Sequence, residues 1–450
     1  MLKRQIRNRQ LMMWVGDAVA ILVAVQIAIS LTAGQMVFLA HGFKSIAIGA
    51  CFFLTLLFYI TDLYNPRRDQ RSQETASLIV LDVAIAMAFV TLAFYFYPHW
   101  GISRSFFLVV FLSTPGLVVA ERLLWARLYG ALARPSVVGV LGEGPAVEEL
   151  RQVASEHDLK VVSLNSLEPE AGDSADHGAT ALQSALARLR PDIVVLSPSA
   201  ALDSAAARLL IDARFSGITV LDLPTLFQLL SGKLPLEHLD AEWLLRAHGF
   251  QFFESNMAVK AKRLSDLALA AVFLVLSSPL WPLIAIGIKI SSRGPAFYTQ
   301  ERVGQNEQVF RLIKFRTMAA NSEASGPVWA AQNDGRIFYF GRLLRLFRLD
   351  ELPQLINILN GSMSFVGPRP ERPVFVTELK SSIPYYSLRS SVRPGLTGWA
   401  QVNYSYGAST TDALEKLKYD LHYIQNLSLL FDLQIVLRTF RTVLGRQGSR

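Results

Sequence analysis

The stretch KRLSDLALAAVFLVLSSPLWPLIAIGIKISSRG, residues 262–294, decides how the chain meets a membrane. It exceeds the roughly 20 apolar residues with which a helix crosses a bilayer. Pro279 and Pro282 interrupt it, and an interior proline costs a helix about 3 kcal/mol unless the freed backbone groups find partners. Ser277 and Ser278 can compensate by bonding back to carbonyl groups. The pattern predicts a helix that breaks near Ser278.

Basic residues flank this stretch on both sides: Lys260, Lys262, Arg263, Lys289 and Arg293. Lysine and arginine mark the cytoplasmic side of membrane segments, so both ends are expected there. A re-entrant helix that enters the membrane, breaks at Ser278-Pro279 and returns to the cytoplasmic face fits both features. An ordinary span with a proline kink is the alternative.

Four further apolar stretches fill the first 130 residues, near 11–31, 43–60, 76–97 and 106–128. Each is close to the length of a transmembrane helix. Basic residues concentrate before the first stretch, after the second and beyond the fourth, so both ends of the bundle are predicted to be cytoplasmic. Asp17 and Asp82 lie within these stretches, and we expect them to make contacts between helices.

Strand-like and helical runs alternate over residues 131–250, which predicts a Rossmann-like α/β domain. Gly142-Glu143-Gly144 resembles the start of a dinucleotide fingerprint. Val147 stands where the third glycine would be, and the next strand ends near Ser163 and Asn165 instead of in an acid. We therefore expect a structural or regulatory domain without bound NAD.

The composition narrows the possible partners. The single cysteine and seven scattered histidines provide neither a disulfide framework nor a zinc site. A net charge of +8 in a chain that is 51% hydrophobic points to anionic lipids or phosphates. Nucleic acid is not expected as a partner, because the basic residues alternate with large apolar ones and four predicted membrane segments precede them.

The region 251–450 carries compact motifs in which arginines stand beside glycines and prolines. Arg369 lies between Pro368 and Pro370, which narrows the conformation of its loop. Because the planar guanidinium suits bidentate contacts with phosphate, this region is interpreted as a phosphate-binding domain at the membrane surface.

Two adjacent acids, Asp350 and Glu351, interrupt the arginine-rich run RLLRLFRLDELPQL. A solvated helix end is the simplest interpretation of such a pair. Beside a bound diphosphate, however, two carboxylates can hold Mg²⁺ together with substrate oxygens. A carboxylate can also act as a nucleophile that forms an acyl phosphate. Pro353 indicates that a helix begins just after the pair, and a helix N-terminus favours negative charge.

Seven motifs, in order and at consistent spacing over about residues 260–441, resemble the bacterial sugar transferase family, the monotopic phosphoglycosyl transferases. They are KRLSDL, SSPLWP, GPAFYTQERVG, KFRTM, LDELPQLINIL, GSMSFVGPRPERP and RPGLTGWAQV. Members pass a sugar-1-phosphate from a nucleotide-diphosphate sugar to polyprenyl phosphate. The front half resembles the large subtype with four spans and a Rossmann-like insert, and GPRPERP and IPYY resemble the exopolysaccharide-associated branch.

The resemblance implies a role for each matching residue. Asp350 would be the nucleophile, forming a covalent phosphosugar intermediate, and Glu351 would assist with Mg²⁺, so both are candidate metal ligands. The implied phosphate ligands are Lys314, Arg369, Arg316, Arg302 and Arg393; the last three can alternatively be ion pairs or hydrogen bonds that hold the fold. Ser278-Pro279 would be the break of the re-entrant helix.

The expected fold is a four-span helical bundle (1–130), a Rossmann-like α/β domain (131–250) and a mainly α monotopic catalytic domain (251–450). The expected reaction uses a UDP-sugar and undecaprenyl phosphate, releases UMP and begins exopolysaccharide synthesis at the bacterial inner membrane, with the active site on the cytoplasmic face. The alternatives are a non-catalytic membrane scaffold with a nucleotide-sensing α/β domain and a membrane-bound NAD-dependent enzyme. The sugar and a homo-oligomeric state are left open.

Overall fold

The computed structural model describes residues 2–33, 41–61, 63–64, 72–96, 104–132, 137–157, 159–164, 176–200, 202–239, 241–247, 256–319, 335–404, 407 and 409–444. The chain forms two compact units, Met1–Leu221 and Asp222–Arg450. The three-part division at residues 130 and 250 stays a prediction.

The first unit begins with four long helices: α1 Leu2–Ala33, α2 His41–Ile60, α3 Gln73–Phe96 and α4 Arg104–Leu132. Among the described residues, three segments are long and apolar enough to cross a bilayer: Leu11–Thr32, Gln73–Thr91 and Ser105–Leu128. In α2 the segment Cys51–Ile60 is apolar but shorter than a membrane span. The membrane helices are therefore confirmed in general, whereas a fourth span over 43–60 stays a prediction.

Buried acids connect these helices. On α1, Asp17 accepts hydrogen bonds from Nε and Nη2 of Arg122 on α4, at 3.2 and 2.5 Å. Arg122 also donates to the carbonyl of Leu63 at 3.2 Å. On α3, Asp82 accepts from the hydroxyl of Thr61 at 2.6 Å. Both acids thus make contacts between helical segments, as expected, since a buried charge is costly unless it is paired.

The rest of the first unit alternates strands and helices: β1 Val137–Leu141, α5 Pro145–Ser155, β2 Lys160–Ser163, α6 Asp176–Leu189, β3 Ile193–Leu196, α7 Ser204–Phe215 and β4 Thr219–Asp222. The strand order is β2-β1-β3-β4, and β1 pairs in parallel with both β2 and β3. The predicted α/β domain with a parallel sheet is confirmed, and its likeness to a Rossmann fold stays a prediction.

Serine side chains fill the glycine turn that follows β1. The Glu143 amide donates to Ser199 Oγ at 3.1 Å, and that hydroxyl donates to the Glu143 carbonyl at 2.6 Å. A Cβ at Gly142, where φ is +96°, would lie 2.7 Å from Ser197 Cβ. The turn is therefore packed against the β3–α7 loop. Asn165, part of the argument against NAD, lies outside the described residues, and the absence of NAD stays a prediction.

The second unit starts with two helices, α8 Leu223–Ser231 and α9 Ala241–Arg246. The α8 side chains Leu226 and Phe227 are fully buried. Just after α8, the carbonyl of Gly232 accepts a hydrogen bond from Trp399 Nε1 at 2.7 Å. The Leu234 amide donates to the Lys418 carbonyl at 3.1 Å. The compact C-terminal unit thus includes a stretch that the sequence assigned to the middle domain.

A bent pair of apolar helices follows, α10 Asn256–Ser277 and α11 Leu280–Ser291, with an angle of 62° between them. The Ser278 hydroxyl donates to the Val275 carbonyl at 2.9 Å, and Ser277 Oγ accepts from Trp281 Nε1 at 3.2 Å. The break lies at Ser278-Pro279, where serine hydroxyls contact the interrupted helix. Whether both ends of the pair lie on one side of a membrane stays a prediction.

The remaining elements surround the candidate site: β5 Phe297–Val303, β6 Val309–Phe315, α12 Tyr339–Leu346, α13 Gln354–Leu359, β7 Ser364–Val366, α14 Pro373–Ser382, β8 Gly395–Thr397, α15 Trp399–Asn403, α16 Thr410–Gln425 and α17 Leu429–Leu444. Strands β5 and β6 are antiparallel, and β7 and β8 are parallel. The main core contains Ala270 of α10, Ile358 of α13, Phe365 of β7, Leu417 of α16 and Ile435 of α17.

Candidate active site

The Asp-Glu pair lies in a 3₁₀ turn, Leu349–Glu351, directly before α13. Arg348, which precedes the turn, has a left-handed φ of +52°. Such a conformation is uncommon for a residue with a side chain, and its strain recurs at functional sites. Leu349 and Leu352 pack against a buried cluster that includes Ile284 of α11 and Phe315 of β6. These apolar contacts fix the pair beside the bent helices.

Glu351 is held by arginines. Arg369 Nη2 donates to Glu351 Oε1 at 2.6 Å, and Arg348 Nη1 lies 3.9 Å from Oε2. Burial favours the neutral acid, but the Arg369 and Arg348 guanidiniums outweigh it and hold the pKa of Glu351 below its usual range. Glu351 is therefore ionised at neutral pH and ties its turn to the Arg369 loop.

Asp350 is buried, with 8% of its surface exposed. Burial and the Glu351 carboxylate raise the pKa of Asp350 to about 6, although the Lys314 and Arg345 cations oppose this shift. No donor in the described part of the chain hydrogen-bonds its carboxylate. An ionised carboxylate that is surrounded by cations and carries no donor can act on a substrate.

Lys314 reaches the site from β6. It stands opposite Tyr298 of β5 in the strand register, and its Nζ lies 5.2 Å from the centre of the Tyr298 ring. Burial lowers the pKa of the Lys314 ammonium to about 8, while the Asp350 carboxylate opposes the shift. Lys314 is therefore largely charged at pH 7 and faces the same region as Asp350.

Arg369 lies in a loop whose backbone is held by a buried arginine, Arg389. The Arg369 carbonyl accepts a hydrogen bond from Arg389 Nη2 at 2.9 Å. Arg389 is buried and also contacts Asp420 Oδ2, at 3.1 Å from Nε and 2.8 Å from Nη2, and the Tyr386 hydroxyl at 2.8 Å. The structure thus brings together Asp350, Glu351, Lys314 and Arg369, on a support that the sequence did not identify.

Arg316 lies apart from this group. It is buried, and its guanidinium donates to the carbonyls of Arg293 at 2.6 Å and Ser292 at 2.8 Å. A Cβ at Gly294 would lie 2.6 Å from Arg316 Nη1. These contacts tie the end of α11 to β6, and they favour the structural alternative for Arg316 over a phosphate contact.

Arg302 and Arg393 are the two remaining arginines that the sequence suggested as phosphate ligands. Arg302 donates to the Pro370 carbonyl at 3.1 Å and to Gln300 Oε1 at 2.7 Å, and it lies 3.6 Å from Glu371. Arg393 is half-buried. Phosphate binding by Arg302 and Arg393 stays a prediction.

Two polar side chains position the site: Asn357, which sequence reasoning missed, and Arg345, one of the arginines in the run that precedes the acid pair. Asn357 of α13 accepts from the Ile313 amide at 2.9 Å and donates to the Arg311 carbonyl at 2.8 Å, which joins α13 to β6. Arg345 Nε donates to Thr317 Oγ1 at 2.9 Å. The signal for Asn357 was available, since it is a polar residue inside the apolar run LPQLINIL.

The residues present fit a shared magnesium site. Within the described ranges, no cluster of three or more histidine, cysteine, aspartate or glutamate side chains could hold a metal by itself. Mg²⁺ is commonly held by one or two carboxylates together with substrate phosphates. Asp350, which no described donor contacts, and its neighbour Glu351 provide that donor set.

Comparisons with known proteins place this site in a family. Residues 257–446 match the family described as Bacterial sugar transferase. The exopolysaccharide production protein ExoY of Sinorhizobium fredii is 40% identical over 204 residues, which are 42% of this chain and 88% of the relative. The chain belongs to the bacterial sugar transferase family. The predicted resemblance is confirmed, and the candidate site lies wholly inside the matched region of the chain.

Two longer relatives carry informative names. The UDP-N-acetylgalactosamine-undecaprenyl-phosphate N-acetylgalactosaminephosphotransferase of Aeromonas hydrophila is 37% identical over 278 residues, 62% of this chain. The UDP-glucose:undecaprenyl-phosphate glucose-1-phosphate transferase of Xanthomonas campestris is 42% identical over 200 residues, 43% of this chain. The chain spans 63% and 41% of the length of these two relatives.

Proposed function

We propose that this transferase passes a sugar-1-phosphate from a UDP-sugar to polyprenyl phosphate, specifically undecaprenyl phosphate, and releases UMP. The observation that carries the proposal is Asp350, a buried carboxylate without a described hydrogen-bond donor, flanked by Lys314, Arg345 and Arg369. The names of the relatives support the substrates, since they specify UDP-sugars and undecaprenyl phosphate.

In the first half-reaction, an ionised Asp350 oxygen attacks the phosphorus that bears the sugar. A bond forms between that oxygen and phosphorus, and the bond from phosphorus to the bridging oxygen of the diphosphate breaks. The electron pair leaves with UMP, and the sugar phosphate stays on Asp350 as an acyl phosphate. Lys314 and Arg369 stabilise the negative charge that develops on the phosphoryl oxygens.

In the second half-reaction, a phosphate oxygen of the lipid attacks the same phosphorus. The bond to Asp350 breaks, the carboxylate is regenerated, and the product is a polyprenyl diphosphate sugar. The intermediate lets one site use two different substrates in turn, a water-soluble nucleotide sugar and a lipid held in the bilayer.

Asp350 and Glu351 would hold Mg²⁺, which when bound supplies Lewis-acid polarisation of the phosphoryl group. Glu351 is already ionised through its contact with Arg369. This contact keeps Glu351 beside the Arg369 loop, so the carboxylate pair and the phosphate ligand are held together before substrate arrives.

The proposed setting is the cytoplasmic face of the bacterial inner membrane, at the first membrane step of exopolysaccharide synthesis. The name of the Sinorhizobium relative supports the process. A re-entrant arrangement of α10 and α11 would hold the site at the lipid surface, because Ile284 and Ile288 of α11 belong to the cluster that packs Leu349.

A release assay tests the function. Membranes containing the full chain are incubated with undecaprenyl phosphate, Mg²⁺ and a panel of UDP-sugars, and UMP is measured. We expect lipid-dependent UMP release with one or a few sugars and none with Asp350→Asn. Absence of UMP release with every sugar of a broad panel would contradict the proposal and favour the non-catalytic scaffold.

A further inference from the structure

Lys262, one of the cations that flank the membrane segment, turns toward the protein. Its Nζ donates to Asp432 Oδ2 at 2.7 Å and to the Val366 carbonyl at 3.2 Å, and its side chain is only 12% exposed. The Val366 carbonyl also accepts from the Tyr423 hydroxyl at 3.1 Å. Val366 ends β7 and lies three residues before Arg369, so Lys262 holds the strand that carries the phosphate-binding loop.

Arg263, the next residue, holds a different element. Its Nη1 donates to the Ile358 carbonyl at 2.7 Å and its Nη2 to the Leu359 carbonyl at 3.0 Å. These carbonyls end α13, where a cation satisfies both the free acceptors and the helix dipole. Helix α13 begins at Gln354, three residues after Glu351. Arg263 therefore anchors the far end of the element that carries the carboxylates.

A third contact lies one turn further along α10. Asp266 is buried and accepts from the Ser364 hydroxyl at 2.8 Å and from the Phe365 amide at 3.0 Å, both in β7. Successive helical residues point about 100° apart, which lets neighbours on α10 reach two different elements. Because Lys262, Arg263 and Asp266 hydrogen-bond to groups of the protein, they are not available to bind lipid headgroups.

We propose that Lys262 and Arg263 are positioning residues that fasten the two halves of the candidate active site to α10. Lys262 fixes the Arg369 loop through Val366, and Arg263 fixes the carboxylate element through the end of α13. The inference rests on the proposed function for what the site does. It adds that the distance and orientation between Arg369 and Asp350 depend on the position of α10.

Hydrogen–deuterium exchange on the full chain in lipid nanodiscs tests whether Lys262 and Arg263 hold β7 and α13 in place. This readout does not depend on the proposed transferase activity. Lys262→Met should accelerate exchange in peptides that cover 364–372, and Arg263→Gln in peptides that cover 354–361. The expected acceleration is roughly ten- to a hundredfold, the loss of one hydrogen bond to a charged group. Arg263→Lys should restore part of the protection. Lys260→Met, a change of charge at a neighbouring exposed position, should match the wild type.

Steady-state kinetics provide a second readout. If the two residues only stabilised the fold, their variants would change KM and kcat in the same way. Lys262→Met should mainly raise KM for the UDP-sugar, since it loosens a phosphate ligand, whereas Arg263→Gln should mainly lower kcat, since it loosens the nucleophile. Exchange that is unchanged in both variants, or raised evenly throughout the unit, would overturn the inference. If the variants show the expected exchange pattern but the wild type releases no UMP, the proposed function is overturned and the positioning role is not.

Discussion

At the residue scale, the acids of the pair differ because their surroundings differ. Glu351 accepts a hydrogen bond from Arg369, so its pKa is held low. Asp350 is buried beside the Glu351 charge, which raises its pKa to about 6. Two carboxylates with separated pKa values are typical of divided roles. The proposed mechanism accordingly gives substrate chemistry to Asp350 and positioning to Glu351.

Glu351→Gln is expected to slow UMP release strongly through lost placement of the metal and of Arg369; for scale, one general acid–base group is worth about 10²–10⁴-fold. The amide removes the negative charge that Arg369 and a metal would contact. Steady-state UMP release measures the effect. Glu378→Gln, a change at an exposed glutamate on α14, is the control and should retain wild-type activity. A Glu351→Gln variant within a factor of three of wild type would contradict the assigned role.

The pH dependence of kcat/KM should be bell-shaped. Asp350 must be deprotonated to attack, so the rate rises as pH increases through about 6. Lys314 must be protonated to bind phosphate, so the rate falls as pH increases through about 8. Lys314→Arg keeps its charge to high pH, and in that variant the alkaline limb should move above pH 10. If the alkaline limb of the Lys314→Arg profile is unchanged, the titration that causes this limb belongs to a group other than Lys314.

At the element scale, buried polar contacts hold the loops. Asp420 of α16 is paired with Arg389, which supports the Arg369 carbonyl. Asp420→Asn should destabilise the folded protein by about 3–5 kcal/mol, because it leaves the buried Arg389 charge without its partner. Denaturant titration measures this loss. Lys380→Met, which removes the exposed pair with Glu307, should cost no more than about 1 kcal/mol; equal effects would contradict the account.

The bent pair α10–α11 should have both ends on the same side of the membrane. Single cysteines at Met257 and Ser291, two exposed positions, are introduced into a Cys51→Ser background. In oriented membranes, both should react with an impermeant maleimide from the cytoplasmic side. Pro279→Ala should favour a straight helix and make the two positions differ. Opposite accessibility in the chain that retains Pro279 would establish an ordinary span.

At the scale of the whole molecule, the sequence predicted what local chemistry determines. Prolines act on their own helix, so the break near Ser278 was visible, and so was the carboxylate pair ahead of α13. Arg389 and Asp420 are 31 residues apart in the chain, and only the tertiary fold shows their contact. A list of arginines likewise could not separate Arg369, which contacts Glu351, from Arg316, which binds backbone carbonyls.

Contacts that are distant in sequence also determine which compact unit a helix belongs to. The residues of α8 read as a continuation of the α/β pattern, yet Gln228 and Gln425 hydrogen-bond at 2.5 Å inside the C-terminal unit. The Trp399 contact with Gly232 has no counterpart in any local pattern. Contacts between residues about 170 to 200 positions apart decide which unit a helix joins, and no periodicity in the sequence reports them.

The covalent route is tested most directly by labelling without the lipid acceptor. The full chain and Mg²⁺ are incubated with a UDP-sugar that is radiolabelled in the sugar, then denatured and separated from free nucleotide. The account predicts a label that stays on the wild-type protein, approaches one per chain, is absent in Asp350→Asn and is discharged when undecaprenyl phosphate is added before denaturation. A wild type that releases UMP only when both substrates are bound together, and never carries a label, would contradict the role of Asp350 as nucleophile.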